Sequence, residues 1–441
     1  MTGLEYTKPA TKLEGYEFFR KVLGSPKYVV APMVDQSELL FMEGVRKPYR
    51  DKNFNIGKGE EGGPGDRPLI VQFCANDPET LLAAAKIVEP HCDAVDINLG
   101  CPQEIARKGH YGSFLQDEWE VIYNLIHILH KNLSIPVTAK FRVFSTVEKT
   151  IEYAKMLESA GAQILTCHGR TREQRGQMAG LADWEKIRAV KEAVAVPVIA
   201  NGNVLFHTDI ETCLAATGAD AVMSAEGNLY NPAIFCPSSI ASTSSTPTPA
   251  PSTWMMPFDT GLHVPHTTLA LEYLSIVKSL ATPTSPSAVK GHLFKLMRPA
   301  LGREKDLREK MGKVKVVKGK ETEGWEKYEE VVLELQERML RDATAAESCT
   351  ADELVTIDPS TGLKILPHWL AQPYFRPETA QKLAQVRVND KKTEIAAEEL
   401  QNGEVDPVDD SIIVGKRAAS ERTPEPDELA KRVKLTADLT S

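Results

Sequence analysis

Six apolar stretches of this 441-residue chain finish in a side chain with functional chemistry: Met33, Gln72, Asn98, Lys140 with Arg142, His168 with Arg170, and Asn201. The third runs "AVDINLGCP" and places Cys101 between Gly100 and Pro102, two strong breakers, so the thiol stands at a strand end on a loop. A thiol of pKa ~8.5 is mostly protonated at neutral pH and serves as a proton donor as well as a nucleophile. A free cysteine is equally a small buried hydrophobe. The residues alone leave both readings of Cys101 open, whereas Cys74, Cys92, Cys167 and Cys213 read as core.

Side chains two apart on a strand share a face, so Lys140 and Arg142, like His168 and Arg170, direct four cations or potential cations toward one cavity. Burying them unpaired is costly, which implies an anionic partner. Internal ion pairs with Asp96 or Asp183 are the alternative. A flavin mononucleotide fits the set, having a phosphate and electron-rich ring positions that need donors, with Gln72 able to donate to and accept from a ring edge. "ANGN" (200–203) and "SAEG" (224–227) follow the last two strands, where glycine turns commonly make a phosphate site.

The elements that must carry these residues alternate. Strand-length apolar runs at 27–33, 68–73, 94–100, 136–143, 163–169, 197–203 and 220–227 are separated by amphipathic helical patterns such as "PETLLAAAKIV" and "TVEKTIEYAKMLESAG". Alternation of doubly apolar strands with helices indicates a parallel sheet covered by helices. The fold class is α/β, a TIM (β/α)8-type barrel one strand short, followed by a helical domain. The polar segment 45–67 stands where a second strand belongs and shows no β-like run. In such barrels the active site lies at the carboxyl ends of the strands, where the six polar termini fall; loop starts alone would explain only some of them.

Four regions follow: a barrel catalytic domain at 1–235, a Ser/Thr/Pro-rich insert at 236–262 expected to be disordered, a basic helical domain at 263–347, and a mostly disordered tail at 348–441. An apolar island, "LKILPHWLAQPYFRP" (363–377), is expected to dock on the folded part. The net charge is −9, yet residues 290–320 hold eleven Lys or Arg against three acids, a local footprint for phosphates. Seven scattered cysteines without a CxxC pair argue for a reducing compartment and against a zinc cluster, so no metal is expected. No apolar run approaches a membrane span and the first residues lack a secretory h-region, so no membrane partner is expected either. Lys416-Arg417 and Lys431-Arg432 form a bipartite nuclear-import pattern, placing the chain in the nucleus, the cytoplasm or both.

"APMVDQSELLF", "VQFCANDPETLLAAAKIV", "DINLGCPQEIARKGHYGSFL", "AKFRVF", "CHGRTREQRGQMAGLADW", "VIANGNV" and "MSAEGNLYNPAIF" together resemble the flavin-dependent tRNA-dihydrouridine synthases. Among these the chain is most similar to the eukaryotic branch acting on uridines 16 and 17 of the D-loop. The likeness covers roughly residues 25–320. It implies an FMN-binding barrel, reduction of a tRNA uridine to 5,6-dihydrouridine with NADPH (or NADH) as reductant, and a monomer. It also implies that Cys101 is the general acid delivering a proton to C5 as hydride reaches C6 from the flavin. By the same likeness Pro32, Met33, Val34, Gln72, Lys140 and His168 lie against the flavin, while Asn201, Gly202, Asn203, Ala225 and Glu226 hold its phosphate. Asn98 orients the uracil, Arg142 and Arg170 contact RNA or flavin, and Arg107 and Lys108 join the basic face. Gly100 would let the loop pass close to flavin and base, and Pro102 would stiffen the mounting of the thiol. Two other readings stand beside this one: an FMN oxidoreductase acting on a free pyrimidine, and a tRNA-binding relative of weakened activity. The family's second strand, with its "TPM"-like turn, is missing here, so FMN retention is expected to be weaker than in an intact relative.

Overall fold

Strands covered on both faces need apolar residues at consecutive positions, and the chain supplies such runs seven times. A computed structural model describes residues 11–33, 63–176, 179–236, 251–255, 258–282, 284–358 and 362–374. Strands β1 (Tyr28–Val30), β2 (Ile70–Phe73), β3 (Ala94–Leu99), β4 (Val137–Arg142), β5 (Ala162–His168), β6 (Val198–Asn201) and β7 (Ala221–Ser224) form one parallel sheet. Its order is β1-β7-β6-β5-β4-β3-β2. This is the order of a (β/α)8 barrel with the position between β1 and β2 left over. Among the described residues β1 and β2 are the two edges and do not pair with each other. The segment 34–62, in which the second strand is expected, lies outside the described residues, and Val34 with it.

The helices form where the sequence caps an amphipathic run. Helix α1 (Gly15–Lys21) precedes β1 and buries Phe18 and Phe19. Helix α2 (Pro78–Val88) starts with proline in its first turn, and the Asp77 side chain accepts from Thr80 N at 2.8 Å. Both features suit a helix start, where the first N–H groups lack internal partners. Helix α3 (Glu104–Gly109) follows the Cys101 turn, and α4 (Trp119–Asn132) turns Ile122, Leu125, Ile126 and Leu129 to the sheet. Helices α5 (Val147–Ala160) and α6 (Trp184–Ala193) are capped by Thr146 and Asp183. Helices α7 (Thr208–Thr217) and α8 (Glu226–Tyr230) flank β7.

A second apolar core lies beyond the sheet. It is built from α9 (His266–Ser279), α10 (Pro286–Leu296), α11 (Arg298–Arg303), α12 (Lys305–Lys313) and α13 (Glu321–Ala345). Two segments outside the expected helical domain join it, one of them carrying the apolar island expected to dock. Residues 251–262 belong to the supposedly disordered insert, yet Trp254 and Phe258 are buried. Two apolar rings outweigh the polar composition around them. Within the presumed tail, α14 (Ala351–Leu354) carries a capping box between Thr350 and Glu353 and leads into a two-stranded hairpin, β8 (Thr356–Ile357) with β9 (Lys364–Ile365). Leu366, Trp369 and Leu370 of the apolar island then enter the same core. Trp369 Nε1 donates to Thr253 O at 3.1 Å, so the two segments hold each other. The described residues all fall in one compact unit, Met1–Val386. The basic pairs at 416–417 and 431–432 lie outside the described residues. Among the described residues no helix is long and apolar enough to cross a membrane.

Strand register decides what the fold offers to chemistry. Asn98 pairs with Lys140, Arg142 with His168, and His168 with Asn201 across β3 to β6. Behind this row the sheet is packed tightly: the Tyr153 ring on α5 meets Phe141 edge-on at 5.5 Å and Trp119 tilted at 5.5 Å. The Tyr153 hydroxyl is sealed in that cluster with no hydrogen-bond partner among the described residues. A buried hydroxyl without a partner costs about 1–3 kcal/mol. Tyr153→Phe should therefore stabilise the chain by about 1 kcal/mol, read as a rise in the urea midpoint at unchanged slope. A fall in the midpoint would show that the hydroxyl is satisfied.

Candidate active site at the carboxyl ends of the strands

The loop after β3 is held by its own side chains. Asn98 Oδ1 accepts the backbone N–H of Gly100 at 3.1 Å and of Cys101 at 2.9 Å, a local turn that asparagine favours. From the other side, the Cys101 carbonyl accepts Ser113 N at 3.1 Å and Ser113 Oγ at 2.9 Å. Gly112 makes this closure feasible. Its φ is +64°, and a Cβ there would stand 2.8 Å from the Cys101 oxygen. At Gly100 a Cβ would meet Arg142 Cγ and the Phe141 backbone at 3.5 Å, an ordinary contact. The glycine that permits close approach of protein to protein is thus Gly112, and within the chain Gly100 is not forced by sterics.

Gln72 and Asn98 form a chain of amides. Asn98 Nδ2 donates to Gln72 Oε1 at 2.8 Å, and Gln72 Nε2 donates to Asp96 Oδ2 at 2.6 Å. Thr138 Oγ1 donates to Asp96 Oδ1 at 2.6 Å. Gln72 is therefore half committed before any ligand arrives, with one N–H and one lone pair left over. Thr138 was not singled out from sequence, and Asp96 was named there only as a possible ion-pair partner of the cations. The signal for them is a polar residue inside an apolar strand, repeated at facing positions of β3 and β4.

The four presumed cations divide. Arg142 is buried, and three of its five N–H donors go to main-chain carbonyls: Nε to Gly100 O at 2.8 Å, Nη1 to Thr171 O at 2.9 Å and Gln174 O at 3.0 Å. Arg170 holds Ala179 O and Gly180 O through Nε at 3.1 and 3.0 Å, and Asn203 Oδ1 through Nη2 at 2.9 Å. Both arginines thus brace the loop of residues 169–183 against the strand ends instead of reaching freely into a cavity. Arg170 Nη1 also lies 3.2 Å from His168 Nε2. A guanidinium only donates, so Nε2 is the acceptor and the imidazole is neutral with its proton on Nδ1. Burial, reinforced by Lys140, Arg142 and Arg170, holds His168 well below its ordinary range, so it is no cation.

Lys140 is different. Among the described residues it has neither a hydrogen bond nor a carboxylate within ion-pair distance. Burial and the neighbouring Arg142 bring its pKa down to about 8, against an opposing pull from Asp96. It remains mostly protonated at neutral pH and is the one ammonium of the row left to a ligand. The half-buried Cys101 thiol is pushed up by desolvation, partly countered by the Gln103 backbone N–H and by Arg142 and Lys140. The thiol is therefore in its protonated form at neutral pH, as an acid must be. Buried Cys74 and Cys167 are pushed up more strongly by desolvation and remain core residues.

At the far side of the row, Asn201 Nδ2 donates to Met223 O at 2.8 Å, tying β6 to β7. Asn203 exchanges hydrogen bonds with Ala182, Oδ1 from its N at 2.9 Å and Nδ2 to its O at 3.0 Å. Each of these two side chains is thus partly committed to scaffold with one amide N–H left over, and the turn backbone adds further donors. Gly202 and Asn203 both have positive φ, +110° and +65°. A Cβ on Gly202 would stand 2.7 Å from Ala182 Cβ and 3.1 Å from the His168 ring. The N–H groups of Gly202, Asn203 and Ala225 have no protein acceptor among the described residues. Successive N–H groups in such a turn make an anion-binding concavity. Glu226 opens α8 beside Ala225, and α8 packs against α10, whose Lys295 feels the Glu226 charge. Pro32 and Met33 follow β1, half-buried, while Arg107 and Lys108 lie on α3, with Arg107 3.7 Å from Glu104.

The comparisons with known proteins agree with one another. The family model described as dihydrouridine synthase (Dus) matches residues 16–331. The tRNA-dihydrouridine(16/17) synthase [NAD(P)(+)] of Saccharomyces cerevisiae is 43% identical over 393 residues, covering 83% of this chain and 87% of that one. Its namesake in Schizosaccharomyces pombe is 42% identical over 392 residues, covering 83% and 92%. The tRNA-dihydrouridine(16/17) synthase [NAD(P)(+)]-like protein of Mus musculus is 44% identical over 382 residues, covering 83% and 72%.

The electrostatic account of the thiol can be measured in the chain without ligand. Lys140→Met removes a positive charge that favours the thiolate, so the Cys101 pKa rises further and alkylation at pH 8 slows, by about threefold or more. Iodoacetamide labelling with peptide mapping separates Cys101 from the half-exposed Cys236 and Cys349. Unchanged or faster labelling of Cys101 would show that Lys140 does not act on the thiol.

Proposed function

Since this chain belongs to the dihydrouridine synthase family, we propose that it is an oxidoreductase that reduces uridine in tRNA to 5,6-dihydrouridine with NADPH or NADH as reductant, using Cys101 as the proton donor. The observation that carries the reading is the row itself: Asn98 on β3 and Cys101 just after it, Lys140 on β4, His168 on β5 and Asn201 on β6 stand at contiguous strand ends. That is where barrels of this class build their active sites.

The residues present fit a flavin mononucleotide. An ammonium without a carboxylate suits an electron-rich ring edge, and the unpaired N–H groups of Gly202, Asn203 and Ala225 suit its phosphate. Gln72, with one N–H and one lone pair left, and His168, with Nδ1 as its remaining ring donor, complete the set of ring contacts. Pro32 and Met33 supply apolar surface after β1. Bound there, FMN supplies the hydride that adds to C6 of the uracil ring.

The protein does the rest. As hydride arrives, negative charge develops on the ring toward C5 and the C4 carbonyl. Cys101, protonated because its thiol is desolvated, gives its proton to C5, so that one hydride and one proton add across the C5=C6 bond. The resulting thiolate is eased by Lys140 and Arg142 nearby and is reprotonated from solvent. A positioned acid is typically worth 10²–10⁴-fold in rate. Asn98 donates an N–H to a uracil carbonyl and fixes the ring. Arg142 and Arg170 tie carbonyls of the loop after β5 to the strand ends, and Arg142 keeps its Nη2 group for contact with RNA or flavin.

The target base must leave its stack to reach a barrel mouth. The basic stretch supports tRNA as substrate over a free pyrimidine. Several of its charges are answered by acids: Lys310 by Glu334 at 2.8 Å, Lys313 by Glu309 at 2.6 Å and Lys320 by Glu323 at 3.3 Å. Arg303, Lys305, Arg308, Lys315 and Lys318 are exposed and have no ion pair among the described residues. These are the groups available to phosphates, and they position RNA without reading its sequence.

Two measurements test this. Cys101→Ala should lower dihydrouridine formation in tRNA by roughly 10²–10⁴-fold while NADPH consumption with an artificial electron acceptor stays intact. Dihydrouridine at the wild-type rate would remove the thiol from the mechanism. Replacing Lys305, Arg308, Lys315 and Lys318 together by Ala should reduce the slope of log affinity against log salt by about 0.7–0.9 for each phosphate no longer neutralised. An unchanged slope would move the RNA to another face.

A further inference from the structure

Asp96 lies in the middle of β3 and is buried, a costly place for a carboxylate unless its hydrogen bonds matter. A carboxylate is an acceptor only. Its Oδ2 takes Gln72 Nε2 at 2.6 Å and its Oδ1 takes Thr138 Oγ1 at 2.6 Å. Against such a partner the Gln72 amide has one orientation: NH2 toward Asp96, oxygen away. That oxygen receives Asn98 Nδ2 at 2.8 Å, which in turn fixes the Asn98 oxygen toward the N–H groups of Gly100 and Cys101 at 3.1 and 2.9 Å.

We propose that Asp96 is a positioning residue that sets the polarity of Asn98 through Gln72, so that Asn98 grips the Cys101 turn with its oxygen and offers the base only an N–H. The proposal rests on the reading of Cys101 and Asn98 given above and deepens it. Both lone pairs of the Asn98 oxygen are taken by the turn, and one of its two N–H bonds is taken by Gln72. The one group left is a donor. A donor suits a carbonyl oxygen of uracil and opposes the exocyclic amine of cytosine, so this relay of amide orientations contributes to choosing uridine over cytidine. Burial raises the pKa of Asp96, while Lys140 facing it from β4 favours the carboxylate and makes no hydrogen bond to the amides among the described residues.

The chemistry of the relay predicts a specific non-additivity. In Thr138→Val the carboxylate still accepts from Gln72, and the relay survives. In Asp96→Asn the new amide keeps its oxygen toward Gln72 by turning its nitrogen to Thr138, whose hydroxyl switches from donor to acceptor. With both changes nothing orients the residue-96 amide, Gln72 loses its fixed polarity, and Asn98 is left oriented by the two turn N–H groups alone. Amide exchange at Gly100 and Cys101 in the flavin-free full-length chain should thus stay within about threefold of wild type in each single variant and rise at least about tenfold in the double. Reduction of tRNA by the flavin-loaded chain should follow the same pattern, falling on the order of 100-fold only in the double, as expected for a misplaced reacting group.

A double variant whose effects equal the product of the singles, in exchange and in turnover, would overturn the proposal. If the double fails to fold, Asn98→Asp decides: it keeps oxygens for the turn and loses the N–H. Protection at Gly100 and Cys101 should then persist while tRNA reduction falls by roughly 100-fold; retained turnover would overturn the assigned polarity. Cys101→Ala run in parallel separates the two levels. Wild-type dihydrouridine in that variant defeats the proton-donor reading, whereas the exchange pattern in flavin-free chain judges the relay on its own.

Discussion

The site depends on one acceptor. The side-chain oxygen of Asn98 takes two successive backbone N–H groups, of Gly100 and Cys101, and so ends β3 in a turn that mounts the thiol on the sheet. Ser113 holds the same residue from behind through the Cys101 carbonyl, so that both its N–H and its C=O are tied to neighbours. A thiol on a free loop would sample many positions; here the loop has little left to rearrange. Preorganisation of this kind is worth more than any added contact, since it is in place before the reaction begins.

The electrostatics of the row follow from which groups have partners inside the protein. Arg142 and Arg170 each commit donors to loop carbonyls that would otherwise be unsatisfied. Because Arg170 donates to His168, the histidine is neutral and acts as a donor through its other nitrogen. Lys140 is left with a charge and no carboxylate, and Cys101 with a proton it retains at neutral pH. An electron-rich ring and a base about to receive a proton are the ligands this imbalance suits.

The helical core extends the same logic to a larger substrate. Its outer face on α12 and the residues after it alternates paired and unpaired cations, with Arg338 of α13 drawing in Glu304, Asp306 and Glu334. The acids keep part of the surface neutral, and the remaining lysines and arginines have no ion pair among the described residues. Arg298 stacks over Tyr374 at 3.3 Å, and Tyr374 lies 6.1 Å from Tyr230 of α8. The C-terminal segment thereby packs between the helical core and the loop proposed for phosphate.

The sequence by itself determined the strands, most of the long helices, the parallel class of sheet and the end of it that carries chemistry. Those are set by local periodicity and by Gly and Pro, which act within a few residues. It also marked Cys101, Lys140 and the 290–320 charge run, because a thiol between two breakers and a basic run in an acidic chain are visible in one dimension. Which polar side chains serve a ligand and which serve the scaffold was decided only by the tertiary structure. Arg142 and Lys140 share a face and a sign of charge; only the carbonyls of Gly100, Thr171 and Gln174, brought together by folding, tie down three donors of the one and none of the other. The hydrogen-bonding role of Asp96 and the need for Gly112 are as hidden, for the same reason. The need for an acceptor at one and for no side chain at the other arises from neighbours distant in the chain or across a closed loop, and hydrogen bonds between such partners are fixed by register and packing, not by spacing.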